Sequence, residues 1–166
     1  MILYFLRHGK AFERSAKWRP DSVRPLTGEG EKKVFRIARG MKKMKISFDL
    51  VLTSPYLRAC RTAEILTEVY DAPKALETQH LGAEAAPAAI VEEIGAKYAT
   101  VKEIVLVGHE PYLGHLISTL LGGNVSLEMN LKKGGVCKLN VKKLAFSQCA
   151  TLEWLLAPRH LAAVAS

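Results

Sequence analysis

Met1-Ile-Leu-Tyr-Phe-Leu-Arg-His-Gly-Lys10, MILYFLRHGK, opens the chain with six apolar residues that run straight into an arginine, a histidine and a glycine. Six residues are too few to cross a bilayer and no basic segment precedes them, so the run reads neither as a membrane span nor as a signal peptide. A short unbroken apolar stretch suits a strand covered on both faces. Chains commonly leave such strands through glycine at the carboxyl edge of an α/β sheet, where these folds place their binding crevice. Arg7 and His8 are therefore expected at a mouth rather than in a core.

The design returns in Lys102-Glu-Ile-Val-Leu-Val-Gly-His-Glu-Pro111, where an apolar run, a glycine and a histidine precede a helix from about Pro111 to Leu121. Phe48-Asp-Leu-Val-Leu-Thr53 reads as another strand. Ser54-Pro55 then starts a helix that gathers Ala59, Ala63, Leu66 and Tyr70 on one face. Three strand-to-helix edges thus converge, supplying Arg7 and His8, Ser54 with Arg58 one helical turn on, and His109. Around them the pattern predicts a helix from Thr27, its N-cap, to about Met44, a short extended piece near Ala75 to Thr78, and a helix from about Pro87 to Tyr98. Gly135 to Val141 and Ala150 to Leu156 read as closing strands. The polar loop from Ala11 to Pro25, with Trp18 and Pro20, is long enough to carry function. No repeat, linker or low-complexity block interrupts the chain, so residues 1–166 are expected to form one domain, an α/β layer sandwich with a mostly parallel sheet and added antiparallel strands.

At 166 residues, 49% of them hydrophobic but none in a membrane-length run, a soluble globular protein is expected. Cys60, Cys137 and Cys149 are odd in number and include no CxxC pair, which suggests neither a disulfide framework nor a thiolate metal cage. A cytoplasmic location follows as the default. The formal charge of +8 implies an anionic partner. Lys32, Arg36, Arg39 and Lys43 recur at helical spacing opposite Val34, Ile37, Ala38 and Met41, so one helix buries an apolar side and shows cations on the other. That basic face is either merely solvated or a docking surface for an acidic protein.

Two imidazoles, His8 and His109, would share the crevice with the guanidiniums of Arg7 and Arg58, joined by Arg24 from the long loop. Arginine forks match phosphate oxygens in pairs, and helix N-termini add backbone donors to the same anion. The expected ligand is a phosphoryl group. Neighbouring guanidinium charges disfavour the imidazolium form, which leaves a neutral histidine able to attack phosphorus. On this reasoning alone, either histidine could be the nucleophile.

Arg7-His8-Gly9 after an N-terminal strand, Arg24-Pro-Leu-Thr-Gly-Glu-Gly30, Ser54-Pro-Tyr-Leu-Arg58 with Thr62, and Gly108-His109 together resemble the histidine phosphatase (phosphoglycerate-mutase-like) superfamily. Within it, the short chain, the segment Ser22-Val-Arg-Pro-Leu-Thr27 and the closing strands resemble phosphohistidine phosphatases of the SixA type. The resemblance runs over almost the whole chain and implies a three-layer α/β/α fold that needs no metal or organic cofactor. It makes His8 the nucleophile that becomes phosphorylated, and Arg7, Arg58 and His109 the phosphate pocket, with Arg24 as an extra clamp unless it braces the loop instead.

Mutases and phosphoesterases of this superfamily carry an acid after the third strand to protonate a leaving alkoxide. Here that region reads Glu77-Thr-Gln-His-Leu-Gly-Ala-Glu-Ala85, and Glu84 is the best candidate general acid. Phosphohistidine expels an imidazole, a far better leaving group, so a missing acid fits that substrate. Between Arg58 and His109 there is also no long insertion to form a lid. An open basic crevice suits a phosphorylated protein, such as a histidine phosphotransfer domain, with a small phosphoester as the alternative substrate.

The remaining readings are weaker. A divalent metal would be repelled by arginines and finds few carboxylates. Ser54 precedes proline and lacks the glycine-framed elbow of hydrolases. The basic stripe contains no aromatic residue, which argues against nucleic-acid binding. A non-catalytic phosphate-binding or scaffold protein fits the charge but leaves the intact histidine and arginine set unexplained. His80, His115 and His160 have no partners in the pattern and read as structural.

Overall fold

The computed structural model describes residues 1–165. Six strands, β1 (Ile2–Arg7), β2 (Leu50–Thr53), β3 (Leu76–Glu77), β4 (Glu103–Gly108), β5 (Val136–Val141) and β6 (Ala150–Leu156), form one sheet in the order β3-β2-β4-β1-β5-β6. The four strands from β3 to β1 are parallel, and β5 and β6 are added antiparallel. The α/β class and the mixed sheet expected from the sequence are both present.

Period-two alternation sorts the apolar runs onto two cores. Leu3 and Phe5 of β1 join Ile104 and Leu106 of β4 on one face, under α3 (Pro87–Lys97) and α4 (Tyr112–Gly122) through Ile90, Ile94, Leu113 and Ile117. Tyr4, Leu6, Val105 and Val107 pack on the other face against α1 (Gly28–Lys43) and α2 (Leu57–Tyr70) through Ile37, Met41, Ala63 and Leu66. Burial on both faces is why β1 reads as unbroken apolar sequence, and it makes the architecture three-layered.

Thr27 caps α1, its Oγ1 accepting from Gly30 N at 3.0 Å. Lys32, Arg36, Arg39 and Lys43 lie on the exposed side of α1, while Val34, Ile37, Ala38 and Met41 are buried, as the spacing predicts. α2 begins at Leu57, three residues after Ser54, because Ser54-Pro-Tyr forms a turn in which Ser54 Oγ accepts from Tyr56 N at 3.3 Å.

A last helix, α5 (Pro158–Val164), was not anticipated from the sequence. Seven residues give too little periodicity to recognise; Pro158 and Leu161 are buried, and Leu161 joins the core beneath α1. A Cβ on Gly40 would stand 1.9 Å from Leu161 O, so glycine at that position lets the α5 backbone lie directly on α1. The three cysteines are free thiols. Among the described residues, no helix is long and apolar enough to cross a membrane.

Candidate active site

The sheet ladder continues one residue past the strands and seats the site. His8 N donates to Gly108 O at 3.0 Å, and Ser54 N to Val107 O at 3.0 Å. The carboxyl ends of β1 and β2 are therefore tied to either side of the exit of β4, which is where His109 stands. Chain direction and register alone bring His8, Ser54 and His109 together.

The His8 and His109 rings lie 5.0 Å apart between centroids. His8 Nδ1 lies 2.7 Å from Gly9 O. A carbonyl only accepts, so Nδ1 carries the proton and Nε2 keeps its lone pair. That lone pair faces Arg58, whose Nε donates to it at 3.3 Å. Gly9 N donates to Thr62 Oγ1 at 3.1 Å, and Thr62 Oγ1 in turn donates to Arg58 O at 2.7 Å, so a single buried hydroxyl joins the loop after β1 to α2. Gly9 is required by space, since a Cβ there would stand 2.6 Å from Val34 Cγ2 on α1.

His109 Nε2 lies 2.7 Å from Ser54 Oγ, and the Tyr56 ring packs on the His109 ring at 4.8 Å. The same Tyr56 ring lies 5.0 Å from the Arg58 guanidinium. Arg7 Nη1 donates to Leu131 O at 2.9 Å, anchoring the stretch before β5. Among the described residues, Arg7 Nε and His109 Nδ1 are buried without a hydrogen-bond partner. Glu110 Oε1 is a third such atom. Buried polar groups in proteins are nearly always paired, which sets these three apart.

Burial is the main influence on both histidines. It holds His8 well below the usual histidine value, with His109, Arg58 and Arg7 adding to the effect and the Gly9 hydrogen bond opposing it. His109 is brought down to about 3, again chiefly by burial and then by Arg58. The sequence argument assigned this neutrality to guanidinium charge alone. The sign is unchanged, but removal from water comes first.

The arginines are organised by Asp21, a residue to which sequence reasoning assigned no role. Arg58 Nη1 donates to Asp21 O at 2.9 Å and Nη2 to Asp21 Oδ2 at 2.8 Å. Arg24 Nε and Nη2 donate to the same carboxylate at 2.8 and 3.4 Å, while its Nη1 donates to Phe12 O at 2.8 Å. Arg24 thus braces the long loop, one of the two roles its position allowed. The available signal was the i, i+3 spacing of Asp21 and Arg24, but the segment recognised in the sequence begins one residue later, at Ser22. The loop is closed at its base by Ala11 pairing with Leu26.

Glu84 is exposed and lines an open groove together with Trp18, Arg19, Asp21 and Tyr56. His80, His115 and His160 are exposed and stand apart from this cluster, with His80 Nδ1 3.1 Å from Glu93 Oε2. Glu110, also unremarked in the sequence, accepts from Gly114 N at 3.3 Å, and burial raises its carboxyl against the opposing pull of Arg7. Among the described residues, no group of three or more His, Cys, Asp or Glu side chains is placed to hold a metal ion.

Residues 3–81 match the family model described as histidine phosphatase superfamily (branch 1). A protein of Picosynechococcus sp. (strain ATCC 27264 / PCC 7002 / PR-6) is 36% identical over 140 residues, 84% of either chain. The phosphohistidine phosphatase SixA of Escherichia coli (strain K12) is 30% identical over 128 residues, 74% of this chain and 76% of that one. The solved structure of the protein histidine phosphatase SixA complexed with tungstate aligns with a TM-score of 0.82 at 25% identity, covering 97% of this chain and 99% of that one.

Proposed function

Because the chain belongs to the histidine phosphatase superfamily, where it is a phosphatase of the SixA type, we propose that it hydrolyses phosphohistidine through a phosphorylated His8. The observation that carries this reading is the His8 ring itself. Its Nδ1 proton is committed to Gly9 O, and its Nε2 lone pair faces the Arg58 side edge among buried donors with no protein partner.

In the first step, Nε2 attacks phosphorus and a P–N bond forms to His8. The substrate's P–N bond breaks, its electron pair stays on the departing imidazole, and that nitrogen takes a proton from water or leaves already protonated. In the second step, water attacks phosphorus, the bond to Nε2 breaks, and inorganic phosphate leaves with neutral His8 restored. Arg58, Arg7 Nε and His109 Nδ1 donate to the phosphoryl oxygens as their charge grows, which is where preorganised donors lower a barrier most. Arg24 contributes charge while bonded to the Asp21 carboxylate. The neutral state of both histidines suits these tasks, since a protonated Nε2 could not attack.

Ser54 Oγ accepts from Tyr56 N and can give its own proton to His109 Nε2; in that arrangement the other His109 nitrogen is the donor. The open groove beside the site, and the cations on α1, suit a phosphorylated protein in the cytoplasm, such as a histidine phosphotransfer domain, better than a buried metabolite. A small phosphomonoester is the second reading, favoured by Glu84 lining that groove as a carboxylate able to protonate an alkoxide. Phosphate release from a phosphorylated histidine phosphotransfer domain and from a panel of phosphoesters, measured side by side, separates the two. Preference for phosphohistidine that survives Glu84→Gln supports the first; faster ester turnover that Glu84→Gln removes establishes the second.

A further inference from the structure

A guanidinium has two edges that can each hold an anion: the end edge, from Nη1 and Nη2, and the side edge, from Nε and the second hydrogen of Nη2. In Arg58 the end edge is fully occupied by one residue, Asp21, through its backbone oxygen at 2.9 Å and its Oδ2 at 2.8 Å. The side edge is turned to His8 Nε2, 3.3 Å from Nε. A planar group held at one edge has its other edge fixed in direction. We propose that Asp21 is the positioning residue of this site, which clamps the end edge of Arg58 so that the side edge meets the phosphoryl group on His8. The inference rests on the reading of His8 as the phosphorylated nucleophile.

The surroundings of Asp21 fit this role. Its carboxylate is 35% exposed whereas the Arg58 side chain is 4% exposed, so the clamp comes from the loop side and leaves the buried edge free. Arg24 supports the carboxylate from behind and ties it to Phe12 O, and Arg14 Nε approaches Oδ1 at 3.6 Å. Asp21 also opposes part of the positive charge that Arg58 and Arg24 impose on His109. These guanidiniums hold Asp21 below its ordinary carboxylate value, the hydrogen bond from Arg24 contributing most. A carboxyl held below its ordinary value is charged at neutral pH. It touches neither nucleophile nor phosphoryl group, and it acts through Arg58.

A double-mutant cycle tests this directly, since residues acting through one another lose additivity while independent ones keep it. Asp21→Ala, Asp21→Asn, Arg58→Ala and the paired variants are assayed against p-nitrophenyl phosphate and a phosphorylated histidine phosphotransfer domain, with circular dichroism to verify folding. Asp21→Ala should lower kcat/KM by about 10²-fold, close to the effect of removing a positioned donor outright, with the loss mainly in kcat. In the Arg58→Ala background it should cost less than about twofold. Asp21→Asn keeps the shape without the charge and should lie between; if Asp21→Ala does not fold, Asp21→Asn carries the same cycle. Equal losses in both backgrounds, or an Asp21→Ala enzyme as fast as wild type, would overturn the proposal and leave the His8 reading intact. An Arg58→Ala enzyme as fast as wild type would overturn it too, whereas a fully active His8→Ala enzyme would overturn the His8 reading.

Discussion

Arg58 Nε donates to His8 Nε2 across 3.3 Å, so the atom read as nucleophile rests against the group read as stabiliser of its product. On the proposed reading, a phosphoryl group that takes the lone pair frees the same N–H for a phosphoryl oxygen. A lysine at this position would keep the charge and lose the edge. Arg58→Lys is therefore expected to retain the fold and to lose about 10²-fold in kcat/KM, read by steady-state kinetics. Activity within a few-fold of wild type would mean that charge alone suffices.

Thr62 Oγ1 is the single acceptor for Gly9 N and itself donates to Arg58 O. Thr62→Val has nearly the same shape but leaves a buried N–H unpaired, which costs about 1–3 kcal/mol. Denaturant unfolding should register that loss, and turnover should fall with it because the loop carrying His8 is no longer tied to α2. An unchanged midpoint would show that the tie carries no weight.

The depressed histidines make stability depend on pH with a defined sign. Each has a native value below the unfolded value of about 6.5, so below that pH the unfolded chain binds more protons than the native one. Stability is fully present above about pH 6.5 and is lost on acidification, by about 1.4 kcal/mol per pH unit for each histidine until its native value is reached. For His109 that lower limit is about 3. The melting temperature of wild type should fall steadily from pH 6.5 to 5, and His109→Gln should reduce the slope by about half. A flat profile over that range would contradict the buried, neutral state of both rings.

Legibility of this fold followed the length over which a pattern repeats. β1 and β4 declared themselves by apolar runs that end in glycine and histidine, and α1 by sixteen residues with a basic and an apolar side. Parallel pairing of β1, β4 and β2 then places His8, His109 and Ser54 side by side with no further assumption. α5 offered only seven residues and one buried leucine. Asp21 was hidden for another reason. Its partners lie 3 and 37 residues away, and nothing in a loop's own sequence tells which carboxylate will face an arginine from a distant helix. Arg24 was ambiguous because a phosphate clamp and a loop brace need the same residue type.

The α1–α5 crossing supplies a prediction away from the site. With Leu161 O in its path at 1.9 Å, an alanine methyl at position 40 forces two backbones apart. Gly40→Ala should destabilise by about 1–3 kcal/mol or more despite the higher helix propensity of alanine. Thermal unfolding measures it; a stabilised variant would show that α5 does not lie against α1 in solution.

The most direct test of the account is a rapid-quench experiment on the phosphorylated intermediate. Enzyme mixed with a 32P-labelled phosphohistidine protein is stopped in alkali within milliseconds, digested, and the labelled peptide identified. The account predicts an alkali-stable, acid-labile phosphoryl group on His8, absent from His8→Ala, whose circular dichroism matches wild type. Label on His109, or full turnover by His8→Ala, would contradict it.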